Sequence, residues 1–206
     1  MTHLPSLGGD AVLLDVFRRY PGTARPLLDY HQMLLRGPSP ITVAQRELIA
    51  AYVSALNACD YCHGVHAATA AAFGVAEDLV TDLLADVDTA PVDEPMKPVL
   101  RLVRTLTLDP SRVREADVAA VYAAGWDERA LHDAVSLCAL FNFMNRLVEG
   151  LGITATPDYY RTSSARLAGK GGYAGLRDLL RSPRGDDTPP PRLPRHVVER
   201  VAQRSP

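Results

Sequence analysis

The chain has 206 residues, of which 47% are hydrophobic and 22% charged, and its formal net charge is −2. This length predicts one domain with a core that needs no disulfide framework, and the composition excludes collagen-like, disulfide-rich and wholly disordered classes. A charge this close to zero gives no argument for a nucleic-acid partner. No basic leader and no bilayer-length apolar run is visible, which predicts a cytoplasmic protein without a membrane partner.

Helical periodicity extends from about residue 10 to residue 180, and no segment shows the two-residue alternation of a strand. Asp10 is expected to cap a first helix that stops before Pro21. A second helix is predicted over 24–36. Thr42 and Gln45 have the spacing of a capping box, which predicts that a third helix begins there.

The second half of the pattern is also helical. After a short break near Asn57, a helix is predicted from Asp60 to Phe73, ending at Gly74. Further helices are predicted over 76–86, 95–107, 114–124, 127–149, 157–168 and 173–181. The predicted fold class is therefore all-α, a compact multi-helix domain over residues 10–180.

Residues 181–206 differ from the rest of the chain in composition. They hold six of the sixteen prolines and six arginines against three acidic residues. Such a segment buries too little apolar surface to offset its ordering entropy, which predicts a mostly disordered tail. A basic docking arm is the alternative interpretation.

One segment, residues 47–66, concentrates reactive side chains: E-L-I-A-A-Y-V-S-A-L-N-A-C-D-Y-C-H-G-V-H. Cys59 and Cys62 form a C-x-x-C pair, and His63 and His66 follow directly. On a helix, the spacings of three and four residues predict one stripe for all four side chains. Glu47 lies on the small-residue face of the preceding helix, so a close helical hairpin would bring its carboxylate to this stripe.

This pattern favours thiol redox chemistry. A cysteine near a helix N-terminus and beside a histidine has a lowered pKa, which yields thiolate at neutral pH. A second cysteine three residues away is within disulfide reach, and a buried carboxylate can accept or relay a proton. These are the parts that a peroxide-reducing or disulfide-reducing site requires.

Three other interpretations fit part of the pattern. C-D-Y-C-H matches the C-x-x-C-H of c-type haem attachment. Four ligands on one helix cannot close a zinc tetrahedron, so zinc would need a distant ligand such as His31. A purely structural role would bury both cysteines in an alanine-rich core, as is expected for Cys138 in its apolar run.

The motif E-x11-C-x2-C-x3-H, read as Glu47, Cys59, Cys62 and His66, resembles the alkylhydroperoxidase D branch of the carboxymuconolactone decarboxylase superfamily. The stretch F-N-F-M-N-R-L-V-E-G-L-G at 141–152 looks like the peroxidase-related proteins of that superfamily. The resemblance covers about residues 25–165. It implies an all-helical homo-oligomer that reduces hydroperoxides with an external thiol reductant and needs no metal, flavin or haem.

The resemblance also implies roles for individual residues. Cys62 corresponds to the cysteine that becomes sulfenic acid, Cys59 to its resolving partner, and Glu47 and His66 to the proton relay. Tyr61 stands where the best-known members have a histidine, and a phenol with a pKa of about 10 cannot relay protons at neutral pH. Either His63 substitutes for that histidine or the relay is shorter.

The motif is also compatible with two other functions. One is a non-catalytic helical redox sensor, in which a Cys59–Cys62 disulfide changes a partner surface. The other is a carboxymuconolactone decarboxylase-type enzyme, which is less expected because the decarboxylases proper generally lack the cysteine pair.

Outside this motif, Asn142, Asn145 and Arg146 form a polar stripe in an apolar helix. They either line a pocket or satisfy buried polar groups or a subunit contact, and the second is expected. His31 and His132 are expected on solvated helix faces.

Overall fold

The structure is a computed structural model that describes residues 2–180, and within that range it contains helices and no strand. The predicted all-α class is confirmed. A 3-10 turn at Pro110–Arg112 separates the sixth and seventh of the ten α-helices. These are α1 (Leu13–Arg19), α2 (Pro21–Arg36), α3 (Val43–Leu56), α4 (Asp60–Ala72), α5 (Leu79–Ala85), α6 (Met96–Leu108), α7 (Glu115–Ala123), α8 (Glu128–Gly150), α9 (Pro157–Ala168) and α10 (Gly172–Asp178).

None of the helices between residues 2 and 180 is long and apolar enough to cross a membrane. The predicted Arg/Pro-rich tail, residues 181–206, lies outside the described residues.

A close hairpin of α3 and α4 forms the centre of the fold. Thr42 and Gln45 make the predicted capping box, with Thr42 Oγ1 accepting from the Gln45 amide at 3.3 Å and Gln45 Oε1 accepting from the Thr42 amide at 3.0 Å. After α3 ends, Ala58 takes a left-handed φ of 52°, and the chain turns back so that Cys59 is the N-cap of α4. The turn thereby places both cysteines at the start of α4.

The long helix α8 packs across α3 and α6 and buries Asn145 of the predicted polar stripe, whereas Asn142 is half-buried and Arg146 exposed. Asn57 Nδ2, at the end of α3, donates to Asn142 Oδ1 at 3.1 Å and to Asn145 Oδ1 at 2.9 Å. Asn145 Nδ2 in turn donates to Ser54 Oγ at 3.0 Å. These contacts support the interpretation that the stripe satisfies buried polar groups, because its amides tie α8 to the end of α3.

Helix α9 lies directly on α4, and α10 lies on α2. Gly64 makes the first contact possible, because a Cβ at this position would lie 2.4 Å from Tyr160 Cε2. This close approach lets α9 reach the N-terminal half of α4, which carries the reactive segment.

The first helix begins later than the sequence predicted. Asp10 does not cap it; α1 starts at Leu13, with Val12 as its N-cap residue. Asp15 accepts a hydrogen bond from the Val12 amide at 3.1 Å and so satisfies a free N–H at this helix end. The cap therefore comes from a carboxylate inside the first turn rather than from one before it.

Candidate active site

Glu47 is a fully buried carboxylate with three partners. Its Oε2 lies 2.7 Å from His66 Nδ1, and its Oε1 accepts from Arg36 Nη2 at 2.6 Å and from the Tyr173 hydroxyl at 3.2 Å. Burial alone would raise the pKa of Glu47, but the hydrogen bonds and charges of His66 and Arg36 outweigh it and lower that pKa. Glu47 is therefore an anion at neutral pH.

Arg36, the last residue of α2, provides a fixed positive charge beside Glu47. Its guanidinium carbon lies over the rings of Phe73 and Tyr173, at 5.2 Å and 5.1 Å from their centroids. Its Nη2 also donates to the Leu167 carbonyl at 3.1 Å. In the sequence this arginine looks like an ordinary basic residue at a helix C-terminus, so no signal distinguished it.

His66 is oriented by this carboxylate. Because Glu47 bonds to Nδ1, the nitrogen left for the surroundings is Nε2. The ring packs edge-on against Phe141, with centroids 4.5 Å apart, and borders a cavity. His66 and Glu47 have the geometry of a histidine held by a buried carboxylate, the arrangement that stabilises an imidazolium.

Both cysteines of the motif are buried free thiols at the N-terminus of α4. Cys59 is the N-cap residue, and Cys62 is the third residue of the helix. A hydrogen bond to Cys62, together with burial, raises the pKa of the Cys59 thiol. Of the two cysteines, Cys62 lines the cavity described next.

The cavity beside Cys62 has a volume of about 60 Å³. Helices α1, α2, α4, α8, α9 and α10 contribute its mostly apolar walls. The lining residues are Leu13, Leu14, Phe17, Leu28, His31, Tyr61, Cys62, Val65, His66, Phe141, Met144, Tyr159, Ser163, Leu167, Tyr173 and Leu176.

Cys62 and His66 share this cavity, but among the described residues no direct hydrogen bond joins the Cys62 sulfur to the imidazole. A proton can still pass between them through one small molecule in the cavity, such as water or a substrate. The arrangement therefore combines a thiol, a base and a space for a small reactant.

His31 and His63 do not lie where the sequence placed them. The expectation that His31 is solvated is wrong: 4% of its surface is exposed, because its face of α2 packs against Phe141 and Tyr173, and it borders the cavity. His63 is half-buried and turned toward α3, with Nδ1 3.3 Å from the Ala51 carbonyl oxygen. The predicted stripe therefore brings Cys62 and His66 to the cavity but leaves His63 outside it.

His132, the other histidine expected in solvent, is exposed on α8, with 69% of its side chain accessible.

Tyr61 joins three helices. Its hydroxyl accepts from the Leu13 amide of α1 at 3.3 Å and donates to the Tyr159 hydroxyl of α9 at 2.9 Å. Burial, followed by the neighbouring Tyr159, raises the pKa of Tyr61 well above its ordinary value. Tyr61 therefore keeps its proton and fixes the helices around the cavity.

The alternatives that the sequence left open can be set against this geometry. Within residues 2–180, no group of three or more His, Cys, Asp or Glu side chains is placed to hold a metal ion. The two sulfurs of the C-x-x-C-H motif are buried, and the adjoining cavity of about 60 Å³ is small beside a haem. The residues therefore do not fit a haem.

Comparison with known proteins agrees with this fold. Residues 21–96 match the carboxymuconolactone decarboxylase family. A similar solved structure is an uncharacterized peroxidase-related protein from Silicibacter sp. TM1040, with 23% identity and a TM-score of 0.67. Another, from Ralstonia eutropha JMP134, is described as an alkylhydroperoxidase AhpD core and a peroxidase-related protein, with 21% identity and a TM-score of 0.65.

Each of these two alignments covers 72% of this chain and 78% of the other. At these identities the likeness establishes the fold alone. No curated protein matches the sequence significantly.

Proposed function

We propose, from the premise that residues 21–96 match the carboxymuconolactone decarboxylase family, that the protein is a thiol-dependent peroxidase of the alkylhydroperoxidase D type. One observation carries the proposal. Cys62 and His66 line the same small, mostly apolar cavity, and the His66 imidazole is bound to the buried Glu47 carboxylate. The substrate is a hydroperoxide, and the reductant is an external thiol.

In the first step, His66 Nε2 takes the proton of Cys62 through a molecule in the cavity. Glu47 keeps its negative charge and stabilises the imidazolium, because Arg36 and His66 hold the pKa of Glu47 low. The Cys62 thiolate then attacks the terminal oxygen of the hydroperoxide. The S–O bond forms, the O–O bond breaks, and the departing alkoxide takes the proton from His66.

In the second step, Cys59 resolves the sulfenic acid. Its raised pKa keeps it protonated while Cys62 reacts, and its hydrogen bond to Cys62 places it beside the oxidised sulfur. Formation of the disulfide releases one water, whose oxygen comes from the sulfenic acid and whose second hydrogen comes from the Cys59 thiol. An external dithiol then reduces the disulfide. A reducing compartment such as the cytoplasm would supply that thiol.

The test measures hydroperoxide consumption with dithiothreitol as reductant in the wild type, Cys62→Ser and Cys59→Ser proteins. We expect turnover in the wild type and none in Cys62→Ser. Cys59→Ser should react once and leave a sulfenic acid on Cys62 that dimedone traps. A wild type that oxidises once and is not regenerated by the dithiol would indicate the redox sensor. Dimedone on Cys59 in Cys62→Ser, and none on Cys62 in Cys59→Ser, would reverse the two roles.

A carboxymuconolactone decarboxylase-type activity is the second candidate, because the matched family is named for it. Decarboxylation of a lactone transfers no oxygen to sulfur and forms no disulfide. Lactone turnover that persists in the Cys62→Ser protein would favour this candidate over the peroxidase.

A further inference from the structure

A second histidine borders the cavity, and the steps described above do not use it. His31 is buried in α2, and its ring packs against Tyr173 and Phe141, with centroids 5.3 Å and 6.0 Å away. His66 packs on the same Phe141 ring at 4.5 Å. The two imidazoles therefore belong to one wall of the cavity.

The hydrogen bonding of His31 fixes which nitrogen carries its proton. Nδ1 lies 2.8 Å from the Leu27 carbonyl oxygen, which can only accept, so Nδ1 is the donor and Nε2 keeps a lone pair. Among the residues that the structure describes, no group hydrogen-bonds Nε2. An unshared acceptor between mostly apolar walls is costly unless a bound molecule satisfies it.

His31 is also neutral at neutral pH. Burial lowers the pKa of His31 to about 4; the Leu27 hydrogen bond and the Glu47 charge oppose this shift, and His66 reinforces it. The Nε2 atom therefore accepts hydrogen bonds and has no proton to give. The two histidines differ in the partner of Nδ1: in His66 it is the anionic Glu47 carboxylate, and in His31 it is the Leu27 backbone carbonyl.

A neutral acceptor complements the hydroperoxide group, whose single donor is its terminal O–H. Ser163 adds a hydroxyl that borders the cavity, is 7% exposed and has no hydrogen-bond partner among the described residues. This hydroxyl can donate to a peroxide oxygen. The remaining walls are mostly apolar and suit an organic substituent.

We propose that His31 Nε2 binds the substrate, an inference that rests on the peroxidase function proposed above. Nε2 accepts a hydrogen bond from the O–H of the hydroperoxide and turns the terminal oxygen toward Cys62. The hydrogen stays on that oxygen while the S–O bond forms and the O–O bond breaks, and it becomes the hydrogen of the sulfenic acid. The departing alkoxide is protonated by His66. One histidine thus holds the oxygen that is attacked, and the other protonates the oxygen that leaves.

The test uses the full chain carrying Cys59→Ser, in which oxidation stops at the Cys62 sulfenic acid. Two rate constants are measured by mass spectrometry: oxidation of Cys62 by ethyl hydroperoxide, with dimedone as the trap, and alkylation of Cys62 by iodoacetamide, which has no O–H donor. His31→Phe keeps a ring without an acceptor, and His31→Gln restores an acceptor oxygen. His132→Gln, at the exposed histidine of α8, is the matched control.

We expect His31→Phe to slow oxidation about 10-fold, the value of one hydrogen bond near 1.4 kcal/mol, and to leave alkylation unchanged. His31→Gln should recover part of the oxidation rate, and His132→Gln should match the parent. If His31→Phe does not fold, His31→Asn, whose shorter amide cannot reach the position of Nε2, takes its place.

If His31→Phe lowers the rate constants of oxidation and alkylation equally, the substitution has changed the reactivity of the Cys62 thiolate itself, and the proposed role of His31 is overturned. Unchanged oxidation in both His31 variants would overturn it as well. A parent protein that iodoacetamide alkylates but ethyl hydroperoxide does not oxidise would overturn the proposed function, and this inference with it.

Discussion

In the proposed mechanism Glu47 orients His66 and keeps its negative charge, because a guanidinium, a phenol and an imidazole all bind its carboxylate. Glu47→Gln keeps the shape and removes the charge that stabilises the His66 imidazolium. We expect kcat/KM for a hydroperoxide to fall about 10²-fold. The free energy of unfolding should also fall, by about 3 kcal/mol, because Arg36 stays buried without its anion.

The measurement for Glu47→Gln combines steady-state kinetics with urea unfolding, and the kinetics are run well below the unfolding transition. Glu94→Gln, at a glutamate with 82% of its side chain exposed, is the control. Full activity in Glu47→Gln would contradict the role of Glu47.

His31 makes the fold sensitive to mild acid. Burial lowers the pKa of His31 to about 4, whereas a histidine in the unfolded chain has a pKa of about 6.5. Between these two values the unfolded chain therefore binds more protons than the folded chain does. Stability therefore decreases as the pH falls, by about 2 kcal/mol between pH 7 and pH 5 from this residue. His31→Phe should remove that part of the pH dependence and His132→Gln should retain it, as measured by urea unfolding at both pH values.

The residues of the site were predictable to different degrees. Glu47, Cys59, Cys62 and His66 stand at fixed spacings in two consecutive helices, so local pattern and resemblance bring them together. Arg36, Tyr173 and Ser163 come from α2, α10 and α9, and their roles depend on tertiary packing that no local pattern encodes. His31 did carry a signal, because it lies three residues after Leu28 and four before Leu35, on the face that those buried leucines mark.

At the element scale, the separation of α4 and α9 depends on Gly64. In an open helical position, Gly→Ala stabilises by about 1 kcal/mol through helix propensity. At Gly64 the new Cβ would meet the Tyr160 ring at 2.4 Å, and overpacking of this kind costs about 1–3 kcal/mol. We therefore expect Gly64→Ala to destabilise the protein and, because α9 carries Tyr159 and Ser163 to the cavity, to lower activity.

Gly150→Ala provides the matched control for this prediction, since a Cβ at the last residue of α8 meets nothing within 4 Å. Thermal unfolding should show opposite signs for the two substitutions, or a neutral effect at Gly150. A higher melting temperature for Gly64→Ala would contradict the close contact.

The ends of a helix could be predicted from the sequence where neighbouring residues alone determine them. The Thr42–Gln45 capping box and the turn before Cys59 are set by adjacent residues, and both predictions are confirmed. Helix α2 begins at Pro21 rather than at residue 24, because a proline fits the first helical position, where its missing N–H is not needed.

At the scale of the whole molecule, self-association stays a prediction, and an apolar groove supports it. The groove, about 610 Å³ in volume, lies between the N-terminal segment, α1, α2 and α8, and the side chain of Phe143 beside it is half exposed. Exposed apolar surface of this kind marks interaction sites. We expect an oligomer in size-exclusion chromatography with light scattering, and a shift to smaller species in Phe143→Glu. A wild type that is monomeric at every concentration would contradict this prediction.

The burial of Cys59 also bears on the order in which two substrates meet the protein. Cys59 is fully buried and Cys62 lines the cavity, so in the proposed peroxidase reaction we expect the reductant to attack Cys62 from the cavity that also receives the peroxide. The two substrates then alternate, so double-reciprocal plots should be parallel, and excess dithiothreitol should inhibit competitively against the peroxide. A small dithiol should reduce the Cys59–Cys62 disulfide faster than a bulky protein thiol does, because access to the cavity limits the reaction more than the reduction potential of the thiol does.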